Sequence, residues 1–251
     1  MMAGQQYFHS ATADRLMEEE NYPREIAEFL DGERGLLTEL VSSVDLLIEA
    51  ACNDGRYLTF AAQHGVRYLG VDLVPRHVEA GHRRIAEYQL PNDRYGFTVG
   101  DISELAEVLN PAVISVPRER CAVLFPFSIF SAIPDPAGVA RTLRALNLPF
   151  VATVYAPSAE ATEVRRDYYR RCGYEGIVTS RTEEGVWLRT DGGLSTVAFH
   201  PDVLKELWST SGLEMIPVEL SMMGTAWVST TLVRGAGEGS FLRSRNPATS
   251  G

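Results

Sequence analysis

Short apolar runs alternate with amphipathic stretches through the first 155 residues of the chain. The runs are nearly continuous rather than alternating in polarity, which is typical of strands that are covered on both faces. The intervening stretches place apolar residues three and four positions apart, which predicts helices. The alternation therefore predicts an α/β fold in which helices cover both faces of a mostly parallel sheet. The predicted strands are residues 44–48, 68–71, 95–99, 121–125 and 150–155.

The last third of the chain has a different pattern. Residues 159–199 contain a basic, aromatic helix candidate, followed by a hairpin candidate with a double-glycine turn. Residues 201–211 have helical spacing, and residues 213–220 and 226–233 are the last two strand candidates. This order predicts an insertion that is followed by a closing helix and two further strands.

The composition is that of a globular protein and disfavours several classes. Hydrophobic residues make up 45% of the chain and charged residues 22%, which is enough to build a sizeable core. The formal net charge of -10 disfavours nucleic acid as a partner, because affinity for nucleic acid depends largely on neutralising phosphates. Three widely spaced cysteines indicate neither a disulfide framework nor a zinc site. The chain lacks the roughly 18 consecutive apolar residues of a membrane helix and shows no secretory signal, so we expect a cytoplasmic protein.

The segment from 45 to 58 carries the strongest functional signal. A predicted strand ends at Glu49, a turn of small residues reaches Gly55, and a helix candidate follows. Such a turn places backbone N–H groups and the positive end of a helix at the carboxyl edge of the sheet, where open α/β sheets bind ligands. Taken alone, the pattern also fits an ordinary strand-to-helix turn in a domain that binds nothing there.

Three later strand ends add to this signal. Asp72 ends the second strand about 20 residues beyond the turn, which is the spacing of a carboxylate that accepts the ribose hydroxyls of a nucleotide. No basic residue lies at that position, which disfavours a 2′-phosphate ligand. Asp101 follows the third strand, and a loop over residues 125–136 follows the fourth. A dehydrogenase is disfavoured, because the G-x-G-x-x-G pattern and a Tyr-x-x-x-Lys pair are absent.

These four segments resemble, in order and spacing, the motifs of class I S-adenosylmethionine-dependent methyltransferases. The first motif of that family reads acidic-x-G-C-G-x-G, and Glu49, Cys52 and Gly55 match it here, whereas Ala51 and Asn53 replace glycines. Asparagine tolerates a left-handed backbone, so we expect a positive φ at Asn53 and a negative φ at Ala51. Cys52 is expected to be a small buried packing residue.

The resemblance covers residues 44–155 and implies a Rossmann-like sheet of seven mostly parallel strands, with a C-terminal antiparallel hairpin and a partial lid. It also implies that the chain binds S-adenosylmethionine and releases S-adenosylhomocysteine. In that family, the acid after the third strand lies near the adenine amino group and its apolar neighbour packs on the ring. The loop after the fourth strand runs beside the reacting methyl group. The cofactor-binding residues implied here are Glu49, Ala51, Asn53, Gly55, Asp72, Leu73, Asp101, Ile102, Phe125 and Phe127.

We predict a single domain over residues 1–234. Two of its parts, an N-terminal cap (1–43) and an insertion (156–200), are the segments long enough to reach across the open side of the cofactor site. The parts are an N-terminal helical cap (1–43), the cofactor-binding half (44–155), a lid or substrate insertion (156–200), a closing helix and hairpin (201–234), and a disordered tail (235–251).

Methyl transfer from a sulfonium requires few catalytic groups. The methyl group is already electrophilic, so holding a nucleophile in line with it in a dry pocket supplies much of the acceleration. An acceptor that must first lose a proton would need a base, for which His200 and then His9 are the candidates. The alternative for His200 is a plain residue at the start of a helix. His64, His77 and His82 are expected at the surface, and no cluster of residues has metal-ligand spacing.

Aromatic residues in the cap and the insertion are candidates for the acceptor site. Tyr7, Tyr168, Tyr169 and Trp187 would supply flat apolar walls. The alternative is that the adjacent Tyr168 and Tyr169 divide between core and surface. A charge run on the same helix could hold a carboxylate of the substrate, but such a run is more often a solvated face, and a solvated face is predicted here: Arg165, Arg166, Arg170 and Arg171.

The sequence therefore predicts an enzyme that methylates an oxygen or nitrogen atom of a small molecule, in a biosynthetic pathway. Two alternatives stay open: a protein of this fold that uses the bound cofactor without methyl transfer, for example as a cyclase, and a non-enzymatic ligand-binding protein. The expected partner is the small-molecule acceptor, not nucleic acid or a membrane. The oligomeric state is left open, with a homodimer as one alternative.

Overall fold

The computed structural model describes residues 10–109 and 116–237 of the chain. Tyr7, His9 and residues 238–251 of the predicted tail lie outside the described residues. The strands are β1 (Leu46–Ala50), β2 (Arg67–Asp72), β3 (Tyr95–Val99), β4 (Cys121–Phe125), β5 (Phe150–Tyr155), β6 (Val178–Arg181), β7 (Gly185–Arg189), β8 (Ser195–Phe199), β9 (Met215–Ser221) and β10 (Gly224–Ser229). The α-helices are α1 (Ala11–Asp14), α2 (Arg24–Leu40), α3 (Leu58–Gln63), α4 (Pro75–Glu87), α5 (Leu105–Val108), α6 (Pro136–Leu146), α7 (Ala159–Arg171), α8 (Pro201–Thr210) and α9 (Thr230–Ala236).

Seven strands form one sheet in the order β3-β2-β1-β4-β5-β10-β9. Strands β1 to β5 run parallel, and β10 pairs antiparallel with both β5 and β9. The predicted α/β fold, with a mostly parallel seven-stranded sheet and a C-terminal antiparallel hairpin, is confirmed. The strand order reverses between β1 and β4, so the crevice above their carboxyl ends is the topological switch point at which open α/β sheets bind ligands.

The insertion forms a second sheet of three antiparallel strands in the order β6-β7-β8. The β7–β8 hairpin follows the predicted one, whereas no strand was predicted at β6. The residues of β6 are exposed or half-exposed and do not alternate in polarity. This strand therefore leaves no periodic signal in the sequence.

Helix α2 covers one face of the large sheet. Its apolar stripe is fully buried at Ile26, Phe29 and Leu36 and ends at the buried Leu40, as expected of an amphipathic helix. The helix packs closely on β9: a Cβ atom added at Gly32 would lie 2.8 Å from the carbonyl oxygen of Leu220. A strand near the end of the chain thus supports a helix near its beginning.

Helices α6 and α8 cover the opposite face. Trp208 of α8 is buried against Phe130 and Phe150, with ring centroids 5.1 and 5.4 Å from its own. The sheet is therefore covered on both faces, as the nearly continuous apolar runs predict. In the part of the chain that the structure describes, no helix combines the length and the apolar character needed to cross a membrane.

The end of the described chain differs from the prediction. The strand predicted over residues 226–233 stops at Ser229, and α9 follows. The Ser229 hydroxyl accepts a hydrogen bond from the backbone N–H of Phe150 (2.9 Å), which ties the end of β10 to β5. Leu232 and Val233 are buried core residues, but they belong to a helix. The helix also includes the first two residues of the predicted tail.

Candidate functional site

Two loops meet at the switch point on the carboxyl edge of the sheet. The β1 loop (residues 51–57) follows β1, and the β4 loop (residues 126–128) follows β4. Asp72 ends β2, and Asp101 lies just beyond β3. The backbone N–H of Gly100 donates to the carbonyl oxygen of Asp72 (3.0 Å), which joins these two strand ends. The structure therefore brings the four predicted segments to one edge.

Three residues of the β1 loop have a positive φ: Ala51 (52°), Asn53 (53°) and Gly55 (93°). The prediction is confirmed at Asn53 and wrong at Ala51. An alanine in the left-handed region costs roughly 1–2 kcal/mol, because its Cβ crowds the following carbonyl oxygen. The N–H of Asn53 donates to Oδ2 of Asp72 (2.8 Å), and this hydrogen bond to β2 helps to hold the strained turn.

The N–H groups of the β1 loop are used within the protein. The N–H of Cys52, which is fully buried as predicted, donates to the carbonyl of Val71 (3.1 Å), and the N–H of Gly55 donates to the carbonyl of Cys52 (2.9 Å). From the other side, Nη1 of Arg84 donates to the carbonyl oxygens of Asp54 and Gly55, each at 3.1 Å. These contacts hold the loop in shape, and the N–H groups of Cys52 and Gly55 already have acceptors within the protein.

Phe97 of β3 packs against the β1 loop in a slot made by three glycines. A Cβ atom added at Gly55, Gly70 or Gly81 would lie 2.7, 2.6 or 2.5 Å from an atom of the Phe97 ring. Gly55 is therefore required by its packing as well as by its positive φ.

Glu49 closes the β1 loop from the buried side. The side chain is fully buried, and Oε2 accepts hydrogen bonds from the backbone N–H of Tyr57 (3.0 Å) and the hydroxyl of Tyr68 (2.6 Å). Burial raises the pKa of Glu49 to about 7, although both hydrogen bonds act in the opposite direction. Its Oε1 makes no hydrogen bond with the described residues. Glu49 shapes the loop, and its predicted contact with a cofactor stays a prediction.

We expect Glu49→Gln to change how stability depends on pH. Because the pKa is raised from 4.5 to about 7, the folded state keeps a proton that the unfolded chain has released. The resulting stabilisation is complete below the unfolded pKa and is lost as pH rises through the folded pKa, a change of about 3 kcal/mol. In urea unfolding between about pH 5 and about pH 8, the wild type should lose stability relative to the Gln variant. Exposed Glu87→Gln is the control, and parallel profiles for Glu49→Gln and wild type would contradict the raised pKa.

Asp72 is buried and already has several donors. Oδ2 accepts from the N–H of Asn53, and Oδ1 accepts from the N–H of Val74 (2.9 Å) and lies 3.2 Å from Nδ1 of His77. The other ring nitrogen of His77 lies 2.8 Å from Oδ1 of Asp14. Burial alone would lower the pKa of His77, but the two carboxylates raise it. His77 was expected at the surface; it is half-buried and links the β2 carboxylate to the N-terminal segment.

This N-terminal segment, residues 11–22, is fastened on two sides. Nη2 of Arg76 in α4 lies 2.8 Å from Oδ1 of Asp14, beside the end of β2. On the other side, the hydroxyl of Tyr168 in α7 donates to the carbonyl oxygen of Leu16 (2.5 Å). The segment therefore crosses from the sheet edge to the insertion.

The remaining predicted cofactor residues of this edge are half-buried. Oδ1 of Asp101 accepts hydrogen bonds from the N–H (2.8 Å) and the hydroxyl (2.6 Å) of Ser103, and Asp101 thereby caps a short helical turn over Ile102–Glu104. Ile102 packs partly against the core, and Leu73 follows Asp72 with partial exposure. These residues lie where a ligand on the sheet edge would cover them.

The two phenylalanines of the fourth segment have different environments. Phe125 is fully buried, with ring centroids 5.5 Å from Phe130 and 6.2 Å from Phe150, so its side chain belongs to the core. Phe127 (φ 50°) and Ser128 (φ 61°) are consecutive left-handed residues in the β4 loop. Backbone strain of this kind persists only where the surroundings over-determine it.

Glu33 of α2 supplies part of that constraint. Its side chain is fully buried, and Oε2 accepts hydrogen bonds from the N–H of Phe127 (2.9 Å) and the hydroxyl of Thr153 (2.5 Å). Oε1 accepts from the hydroxyl of Tyr57 in the β1 loop. Burial raises the pKa of Glu33, while these hydrogen bonds lower it. One side chain therefore connects α2, both loops and β5.

We expect Glu33→Ala to destabilise the protein by about 3 kcal/mol or more, because three buried donors lose their acceptor. Glu33→Gln keeps an acceptor oxygen and should cost about 1 kcal/mol. Urea denaturation measures both values. Asp31→Ala, exposed on the same helix, is the matched control and should stay within about 0.5 kcal/mol of wild type. A Glu33→Ala variant as stable as the control would show that the carboxylate does not tie the loops together.

Arg56 lies over the switch point between the two loops. Its Nη2 donates to the hydroxyl of Tyr22 (2.6 Å), and its Cζ lies 4.9 Å from the centroid of the Phe127 ring. Its Nε is buried without a hydrogen-bond partner among the described residues. The guanidinium thus retains donor capacity in the crevice.

An aromatic cluster surrounds the β4 loop and consists of Tyr22, Phe127, Tyr155 and Tyr168. The centroid of the Phe127 ring lies 5.6 Å from Tyr22, 5.8 Å from Tyr168 and 6.4 Å from Tyr155. Tyr168 and Tyr169 are both buried, so they do not divide between core and surface. The structure therefore places Tyr168 against the β4 loop, and Tyr169 packs behind it, with its ring centroid 5.2 Å from that of Tyr168.

Trp187 and His200 are not part of the aromatic cluster around the β4 loop. Val186 and Leu188 pack in the same cluster as Tyr168, whereas Trp187 between them packs against the core on the other side of β7. Its indole N–H donates to Oε2 of Glu184 (3.1 Å), and the backbone N–H of His200 donates to the Glu184 carbonyl (2.9 Å). The structure brings these two residues to Glu184 rather than to the aromatic cluster.

The sequence analysis missed two charged residues of this region and misplaced a third. Arg56 directly follows Gly55 of the first motif, and Glu33 interrupts the apolar stripe of α2; both positions were usable signals. Arg165 was predicted on a solvated face, and this prediction is wrong, because its side chain is fully buried. Only Arg170 and Arg171 of that run are exposed, as predicted.

The fold is that of class I S-adenosylmethionine-dependent methyltransferases. The chain is similar to the 1,6-didemethyltoxoflavin-N1-methyltransferase of Burkholderia thailandensis, solved with 1,6-didemethyltoxoflavin and S-adenosylhomocysteine. The TM-score is 0.56 at 13% identity, over 91% of this chain and 90% of that one. The chain is also similar to the magnesium protoporphyrin IX methyltransferase of Synechocystis PCC 6803, solved with S-adenosylhomocysteine. The TM-score is 0.53 at 12% identity, over 90% of this chain and 98% of that one.

The similarity in sequence is more limited. No protein-family model matches the chain. A stretch of 62 residues is 32% identical to an S-adenosyl-L-methionine-dependent Diels-Alderase of Talaromyces variabilis, and it covers 25% of this chain and 21% of that protein. The match thus spans only about a fifth of the length of that relative.

Proposed function

We propose that this chain binds S-adenosylmethionine at the carboxyl edge of the seven-stranded sheet and transfers the methyl group to an oxygen or nitrogen atom of a small molecule. The observation that best supports the proposal is the position of Asp72, a buried carboxylate that ends β2 beside the β1 loop near the switch point. The shared fold with methyltransferases solved with S-adenosylhomocysteine supports the same ligand and product. We also propose a cytoplasmic location and a role in small-molecule biosynthesis.

The described residues fit this cofactor. A carboxylate has about four acceptor positions, so Asp72 retains one on Oδ2 for a ribose hydroxyl, and a second hydroxyl would take the place of His77 on Oδ1. Asp101 and Ile102 provide a half-buried acid and an apolar surface for adenine. The unpartnered Nε of Arg56 suits the carboxylate of the cofactor. The bound cofactor supplies an electrophilic methyl group.

On the acceptor side, the chain positions the acceptor and excludes water. The aromatic cluster lies around the β4 loop, which faces the methyl group in this proposal. Rigid rings bury a large area with few rotatable bonds, and a fixed, dry geometry is what this reaction requires. Acceptor contacts of Tyr7, Tyr169 and Trp187, and a role of His200 as a base, remain part of the proposal.

Calorimetry with S-adenosylhomocysteine tests the cofactor site. We expect a dissociation constant in the micromolar range for the wild type. Asp72→Asn should weaken binding tenfold to a hundredfold, or about 1.5–3 kcal/mol, because the charge-assisted contact to ribose is lost while the side chain can still accept from Asn53. Asp93→Asn, exposed at the opposite edge of the sheet, is the control and should bind like the wild type. If folded wild-type protein binds no S-adenosylhomocysteine, the proposed function fails.

A second candidate function is catalysis that uses the bound cofactor without transferring its methyl group. The 62-residue similarity to a Diels-Alderase favours it. Incubation with methyl-labelled S-adenosylmethionine and candidate acceptors separates the two functions. Methyl transfer predicts S-adenosylhomocysteine and labelled product in equal amounts. A product that forms only with the cofactor present, but carries no label, would select the second function.

A further inference from the structure

Arg165 is a buried cation that forms no ion pair with an acid among the described residues. The residue lies in the middle of α7, and its side chain is fully buried. All three guanidinium nitrogens are buried, and none makes a hydrogen bond of good geometry with the described residues. The neighbouring acids of α7 are engaged elsewhere: Glu163 pairs with Arg166 (3.0 Å), and Asp167 pairs with Arg171 (2.8 Å).

The guanidinium borders the aromatic cluster around the β4 loop. Its Cζ lies 5.1 Å from the centroid of the Tyr155 ring, and that ring packs in turn on Phe127. Tyr169 is a second neighbour: burial raises the pKa of its hydroxyl, and the positive charge of Arg165 and a hydrogen bond with its side chain lower it. Arg165 therefore contacts the aromatic cluster through Tyr155, whereas Arg56 contacts it through Tyr22 and Phe127.

The part of the chain that the structure describes supplies no negative charge to balance this guanidinium. Burying a guanidinium removes its hydration, and a single cation–π contact replaces only part of it. The protein has a net charge of -10, so acidic residues are abundant, yet none of the described ones forms an ion pair with Arg165. Arginine presents five N–H donors in a planar fork that matches a carboxylate in two parallel hydrogen bonds. A buried guanidinium that has aromatic neighbours but no acidic partner is suited to a flat organic acid.

We propose that Arg165 binds a carboxylate of the acceptor, and that the acceptors of this protein are planar organic acids seated against the aromatic cluster. The inference rests on the proposed function, since it names the substrate class of the same site. The carboxylate serves as an anchor, and no bond to it forms or breaks. A different oxygen or nitrogen atom of the acceptor then faces the methyl group.

The test compares 2-naphthoate with 2-naphthamide, which have the same shape and differ in charge. Binding of each is measured by calorimetry on wild-type protein saturated with S-adenosylhomocysteine. We expect naphthoate to bind at least about tenfold more tightly than the amide. Equal binding of the two probes, or no binding of either, overturns this inference while the proposed function stands. A failure of S-adenosylhomocysteine itself to bind would instead remove the proposed function.

Variants then assign the preference to Arg165. Arg165→Met should reduce naphthoate binding to the level of the amide and leave S-adenosylhomocysteine binding within about threefold of wild type. Arg170→Met, exposed on the same helix, is the matched control and should keep the full preference. If Arg165→Met weakens S-adenosylhomocysteine more than tenfold, the guanidinium serves the carboxylate of the cofactor, and the inference is wrong.

A purely structural role makes a different prediction. Without ligand, Arg165→Met should melt no lower than wild type, because an unpaired buried charge has been removed. A lower melting temperature together with equal losses for both probes would show that Arg165 only supports the fold. If the Met variant does not fold, Arg165→Lys replaces it: the charge without the fork should keep a reduced preference for naphthoate, and an unchanged preference would contradict recognition by the guanidinium.

Discussion

The arrangement of the candidate site depends on one buried carboxylate, that of Glu33. Its donors Tyr57, Phe127 and Thr153 lie 24, 94 and 120 positions away in sequence. A carboxylate in the apolar stripe of a helix is costly to bury and is tolerated because both oxygens accept hydrogen bonds. The carboxylate of Glu33 therefore sets the distance between the two loops that flank the switch point. That distance is the width of the crevice.

Both loops are strained where they flank that crevice. Ala51, Phe127 and Ser128 occupy the left-handed region without being glycine. Each costs of order 1–2 kcal/mol, and the surrounding hydrogen bonds offset the cost. The N–H of Ser128 lies 3.3 Å from the hydroxyl oxygen of Thr153, the same residue that donates to Glu33. The strain and the constraint thus belong to one network, which keeps the loops in place without a ligand.

The sequence was sufficient for the fold and for the position of the site, but not for its internal contacts. Periodicity reveals which face of an element is buried, so the parallel strands and the acids that end them were predictable. Periodicity does not reveal the partner of a polar group, which is why the hydrogen bonds of Glu33 and the burial of Arg165 were not predicted. Ala51 was misjudged because local preference favours a negative φ, and tertiary hydrogen bonds override that preference. The same limit explains α9, whose apolar residues fit a strand equally well.

The close packing of α2 on β9 has a consequence for the order in which the chain folds. Gly32 lies against Leu220, and β10 fills the gap between β5 and β9, so the sheet is completed by residues 215–229. During synthesis, the parallel strands and α2 emerge long before those residues exist. The surface of α2 around Gly32 and one edge of β5 then lack their partners, and unpaired strand edges and exposed apolar surface are what make nascent chains aggregate. The sheet is therefore closed by contacts of high sequence separation, which form slowly because a long loop must be ordered first.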